Sequence, residues 1–246
     1  NTLHLLHKRK TIKMKKIILS LLLLTTLNLF AQENYWTSYN FNVDVEDEEI
    51  VAKLTNDYFS SPNSKAEGVT VFLFENHFKD ISNNASHTIA FTGTLDAMGK
   101  QYSQGDDLSW DLFLSKLNRY TKSHSSAAGR SLISFGVPGN YPVQNLYILK
   151  VKNGRKFAAA WENYNTISNP EDRRVTFGQF NLGRSTNGET HYVLSEVNSF
   201  KDAFGMKKFR DRISSAKNTA WNKFIEEFDG NAEMVKTKTR TVVGKW

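Results

Sequence analysis

Two prolines and two glycines crowd into Gly136-Val-Pro-Gly-Asn-Tyr-Pro142, near the middle of a 246-residue chain. The pattern of apolar residues before that break recurs after it. Helices and strands both stop at such clusters, so the chain divides there. Before the break, alternation predicts a strand over Tyr35–Val43, followed by a helix over Glu48–Phe59 with Ile50, Val51, Leu54 and Tyr58 on one face and Asp47 as N-cap. Strands follow at Val69–Phe74 and His87–Gly93. A helix near Ser109–Thr121 carries Trp110, Phe113, Leu114, Leu117 and Tyr120 at helical spacing, and a strand at Ser131–Phe135 completes the order βαββαβ.

After the break the order repeats. Leu146–Val151 reads as a strand, and Lys156–Asn165 as a helix with Phe157, Trp161 and Tyr164 on one face. Val175–Phe180 and His191–Val197 read as strands. A helical region runs from Phe200 to Phe228, interrupted near Gly205, with Ser199 and Asp202 as its capping pair. A β-branched tail at Thr239–Val243 ends the pattern. His87-Thr-Ile-Ala and Thr190-His191-Tyr-Val-Leu occupy matching places, as do Trp110-x-x-Phe113 and Trp221-x-x-Phe224, which points to an internal duplication.

Two βαββαβ units in one chain resemble the dimeric α/β-barrel superfamily, in which two ferredoxin-like sheets face each other. The resemblance rests on element order over residues 34–246. It implies an α+β fold of two tandem ferredoxin-like units with antiparallel sheets, residues 32–137 and 145–246 joined by a linker at 138–144, and facing as a single-chain barrel. A pocket would then lie between a sheet and its helices or inside the barrel. Some relatives are cofactor-independent oxygenases or haem-degrading enzymes whose pockets carry an Asn, a Trp and a His; no spacing in this chain transfers those roles residue by residue.

The first residues speak about destination rather than fold. Met14-Lys15-Lys16, an apolar run from Ile17 to Phe30 and then Ala31-Gln32 have the layout of a secretory signal over 14–31, cut after Ala31. The run is shorter than the roughly 20 residues needed to cross a bilayer, so no membrane span is expected after cleavage. Residues 1–13 read as upstream, non-native translation. A Lys-Lys, Leu-rich, Ala-Gln signal is in the style of Gram-negative bacteria, and the expected location is periplasmic or secreted. Removing residues 1–31 takes 32 basic residues to 26 against 25 acidic ones, so the formal +7 charge gives no reason to expect a nucleic-acid partner. Cysteine is absent, which excludes disulfides, lipoprotein attachment and thiol catalysis.

No motif specifies a reaction: there is no Gly-x-Ser-x-Gly elbow, phosphate-binding loop, dinucleotide fingerprint or His-Glu-x-x-His helix. No metal and no cofactor is expected. The histidines are too far apart in sequence for a metal pair on one element. The acidic run Asp44, Glu46, Asp47, Glu48, Glu49 suits a helix N-terminus better than a calcium loop. Lys207–Arg212 reads as a solvated helix face and Lys236-Thr-Lys-Thr-Arg240 as an edge strand. The ligand-binding candidates are His87 and His191, which the repeat places at the starts of equivalent strands, and Trp110, Trp161 and Trp221, whose helical stripes suit a core or an aromatic pocket. Together these features suggest a non-catalytic exported module, monomeric or homodimeric, that binds a small apolar or aromatic ligand. The alternatives are a cofactor-independent oxygenase or haem-modifying enzyme, and a structural envelope component.

Overall fold

Strand periodicity places alternate residues on opposite faces, and here both faces are used. In the computed structural model the first half runs β1 (Tyr35–Val43), α1 (Glu48–Phe59), β2 (Thr70–His77), β3 (His87–Gly93), α2 (Leu95–Tyr102), α3 (Leu108–Leu117) and β4 (Thr121–Phe135). The second runs β5 (Val143–Val151), α4 (Gly154–Ser168), β6 (Arg174–Leu182), β7 (His191–Val197), α5 (Phe200–Phe204), α6 (Ser215–Asn231) and β8 (Ala232–Lys245). The structure describes residues 33–246 except 63, 79–83, 104, 106, 170–171, 186 and 206–214, and the side chain of 215. The expected signal segment, residues 1–13 and the basic stretch at 207–212 therefore lie outside the described residues.

All eight strands form one closed antiparallel barrel in the order β1-β3-β2-β8-β5-β7-β6-β4. Each half contributes its strands in the order fourth, first, third, second, the ferredoxin-like arrangement. The fourth strands close the ring. β4 pairs with β1 of its own half and β6 of the other, and β8 pairs with β5 of its own half and β2 of the other.

That double duty explains two departures from the sequence expectation. The helix predicted to Thr121 ends at Leu117, and β4 begins ten residues before the predicted start at Ser131. His124-Ser-Ser-Ala lacks apolar alternation, but this stretch is held in register by β1, with Phe41 opposite Ser123 and Val43 opposite Thr121. Likewise β8 starts at Ala232 rather than Thr239, because Met234 through Lys238 pair with β5. Lys236–Arg240 is therefore not on an edge: in a closed barrel there is none.

The helices cover the outer face of the sheet. In the first half Val51 and Phe59 of α1, Ala97 and Met98 of α2, and Phe113 and Leu117 of α3 pack with Val71, Leu73, Ile89 and Phe91 into a filled core. α2 escaped the sequence reading because it is short and contains Gly99, although Thr94 caps it by accepting from the Ala97 N–H at 3.1 Å. Asp47 occupies the N-cap of α1 but makes no capping bond, since a preceding 3₁₀ turn holds it in helical rather than extended backbone. Ser199 caps α5 as expected, accepting from Asp202 N–H. Trp246 seals the first half: its indole donates to Asn56 Oδ1 at 3.2 Å and its backbone pairs with Val71.

Candidate functional site

The two helix layers are built alike but filled differently. In the second half, Phe157 and Trp161 of α4 and Phe224 and Phe228 of α6 meet Leu149, Val175 and Phe177 of the sheet, yet they leave a cavity of about 430 Å3. Its sheet wall is Asn145, Tyr147 and Leu149 of β5 and Val193, Ser195 and Val197 of β7, the outward members of each alternation. α4 can supply the opposite wall because Asn153 caps it, accepting from Lys156 N–H at 3.0 Å, and because Phe157, Trp161, Tyr164, Asn165 and Ser168 all fall on its inner face.

The apolar surface is largely aromatic. Tyr164 stacks on Phe224 with ring centres 5.3 Å apart, and Trp221 stands 5.3 Å from Tyr164. The last turn of α4 and the loop after it add polarity: Asn165, Ser168, Asp172 and Arg173 all line the space. Asn165 donates to Trp161 O at 2.9 Å, so its carbonyl end is not consumed by that bond. Asn145 is fixed from both sides, donating to Ala203 O at 3.1 Å and accepting from Thr239 Oγ1 at 2.7 Å. Ser168 is 5% exposed and its hydroxyl has no hydrogen-bond partner among the described residues. Burial raises the Tyr164 phenol and lowers the Arg173 guanidinium from their usual pKa values. Such a space, mainly apolar with a few fixed polar groups, suits a small organic ligand.

The sequence-derived candidates separate. Trp161 and Trp221 line this cavity together. Trp110 lies in the filled layer of the other half, against Tyr58 and Phe113. His87 and His191 occupy equivalent places, each with its Nδ1 within 2.9 Å of the hydroxyl of the preceding residue, Ser86 or Thr190. Each also stacks on a phenylalanine, Phe41 for His87 and Phe177 for His191. They do not converge. β3 and β7 are diametrically opposite in the ring, both imidazoles face outward, and neither lines this cavity or the barrel interior. Burial, then the Arg184 charge, lowers the His191 pKa to about 4.

Among the described residues no cluster of three His, Asp or Glu could hold a metal ion, and no helix is long and apolar enough to cross a membrane. No described histidine lines this cavity, whose residues of the types used by haem-degrading relatives are Asn145, Asn165, Trp161 and Trp221; Asn40, Trp36 and His124 line the barrel interior instead. The donor set of this helix-side cavity therefore does not fit a histidine-ligated haem.

No family model and no curated protein matches the sequence. Solved structures do. A candidate monooxygenase from Lactobacillus acidophilus superposes with a TM-score of 0.58 at 13% identity, over 87% of this chain and 95% of that one. An anthrone oxidase-like protein gives 0.53 at 10% identity, over 88% and 94%. A variant of the chlorite dismutase from Candidatus Nitrospira defluvii gives 0.50 at 13%, over 85% and 90%. The fold is the dimeric α/β barrel. Here the barrel is closed by one chain. The three named activities differ, and at this identity the likeness extends to the fold alone.

Signals for the remaining lining residues were weak. Asn145, Asn165 and Ser168 are single polar residues inside otherwise apolar elements, and only the folded strand pairing and helix packing show that they share one space.

Proposed function

We propose that the cavity between α4, α6 and the outer face of β5 and β7 binds a small aromatic molecule bearing a hydroxyl or carbonyl group. The observation that carries this reading is the contrast between the two helix layers. One is filled with side chains, whereas the other keeps a space of about 430 Å3 walled by Trp161, Tyr164, Trp221 and Phe224, with the buried Ser168 hydroxyl beside it unsatisfied among the described residues. An open apolar cleft of that size exposes aromatic surface that a ligand would cover, and an unmet buried hydroxyl carries a desolvation cost that a ligand's polar group would offset. The role is that of a binding module, exported if Met14–Ala31 acts as a signal.

The test is calorimetric titration of the full chain with 2-naphthol. Ser195 is buried on β7 and faces the cavity, so Ser195→Phe places a ring in the space. Binding by the parent chain and its loss in Ser195→Phe, with unchanged circular dichroism, are the expected results. Equal binding by both would overturn the assignment. The oxygenase reading uses the same cavity and draws support from the oxidative activities named for the monooxygenase- and oxidase-like structures. It requires oxygen uptake when bound 2-naphthol is aerated; the binding-module reading requires none.

A further inference from the structure

The barrel interior holds a second cavity, of about 290 Å3, separate from the helix-side space. Its wall is the inward alternation of every strand, and strand register orders the charges. One row runs Arg240, Gln144, Glu196, Arg174 across β8, β5, β7 and β6. The members of this row bond to one another: Arg240 Nε donates to Gln144 Oε1 at 2.8 Å, Gln144 donates to Glu196 at 3.0 Å, and Arg174 pairs with Glu196 at 3.4 Å, while Arg174 Nε has no hydrogen-bond partner among the described residues. The Arg240 guanidinium also lies 3.8 Å from the centre of the Phe74 ring.

The next row runs Lys238, Leu146, Leu194, Thr176, and the one after it Lys236, Ile148, Tyr192, Gly178. Neither contains a carboxylate. The Lys238 ammonium has no hydrogen-bond or ion-pair partner among the described residues, and its register neighbours on β5 and β7 are leucines. Among the described residues that line the lumen, Lys236, Lys238, Arg174 and Arg240 face only Glu189 and Glu196 as carboxylates. Such a cation inside a protein either loses its proton or acquires an anion. The lumen is also partly apolar, with Trp36, Phe72, Phe74, Leu146, Ile148 and Leu194, and it reaches the exposed residues His124–Ser126 and Gly183.

We propose that the barrel lumen is a binding site for a small organic carboxylate, whose charge is met by Lys238 and Lys236 and whose apolar body lies against Leu146, Leu194 and Phe74. Inorganic phosphate would match the lysines but leave the apolar wall without a partner. The site is independent of the helix-side cavity, since successive residues of β5 and β7 line one or the other.

Burial, then the Arg240 and Lys236 charges, lowers the Lys238 pKa to about 7. The other charged or titratable groups facing the lumen are Tyr192 and Glu196 on β7, Arg174 on β6, Glu189 after β6 and His124 on β4. A bound carboxylate raises the Lys238 pKa, so the acid binds with proton uptake and weakens once the free protein has lost that proton.

The experiment is calorimetric titration of the full chain with benzoate, with its neutral isostere benzamide, and with inorganic phosphate. Benzoate should bind near pH 6, at least about tenfold more weakly near pH 9, and not measurably in Lys238→Met. Lys238→Met should keep or raise the thermal midpoint, because it removes a half-buried charge that has no partner among the described residues. Ser195→Phe, which fills only the helix-side cavity, should bind benzoate like the parent. Benzamide binding as tightly as benzoate, undiminished benzoate binding by Lys238→Met, equal affinity for phosphate, or loss of binding in Ser195→Phe would each overturn the proposal.

Discussion

At the scale of single residues, two glycines and a histidine show how tightly the interior is specified. Trp36 and Tyr192 meet inside the barrel, the indole donating to the Tyr192 hydroxyl at 2.8 Å. Gly178 makes that possible, because a Cβ there would lie 2.3 Å from the Tyr192 ring. Gly129 does the same for Trp36, whose ring would be 2.5 Å from an added Cβ. His191 gives a prediction with a defined sign. Its folded pKa of about 4 lies below the usual 6.5, so between those values the unfolded chain holds a proton that the folded chain does not. Stability therefore falls as pH drops from about 6.5 to about 4, and His191→Phe should flatten that part of the profile. Urea unfolding of both proteins across this range tests it; parallel profiles would mean that the imidazole stays protonated when folded. The sequence shows His191 at a strand start, but not its stacking on Phe177, which comes from β6 and is set by strand pairing.

Among the elements, legibility follows the strength of local periodicity. β1, α1, β3 and β7 lie where the sequence puts them, because each has an apolar alternation or stripe bounded by polar residues. β4 and β8 run 15 and 14 residues, whereas the others run seven to nine, and their extra length is mostly polar. Nothing local distinguishes Lys236-Thr-Lys-Thr-Arg240 on a solvated edge from the same residues facing a lumen; barrel closure decides between them. Trp161 and Trp221 were visible as stripe residues, but the space between them depends on how α4 meets α6. The cap at Asn153 anchors α4 and hence one wall of the helix-side cavity. Asn153→Ala should lower unfolding free energy by about 1 kcal/mol, read from the shift in urea midpoint at constant slope. No shift would show that tertiary packing alone fixes the start of the helix.

For the whole molecule, the ring closes through two seams between halves, β2 with β8 and β4 with β6. Both are antiparallel ladders interrupted only by bulges, so the loop at 136–142 is not what keeps the halves together. A protease site inserted at Gly139, which is exposed, should give a nicked protein that migrates as one particle in native size-exclusion chromatography and as two fragments in denaturant. Separation without denaturant would assign the closure to the peptide link.

That link has a different consequence. Two identical copies related by a twofold axis must share every substitution, so a residue that hollows one helix layer hollows the other and any cation lining the lumen appears twice. A tandem gene escapes this. One half can keep Phe59, Phe91 and Phe113 as ballast for folding while the other drifts toward an open chamber, and Lys238 need have no twin.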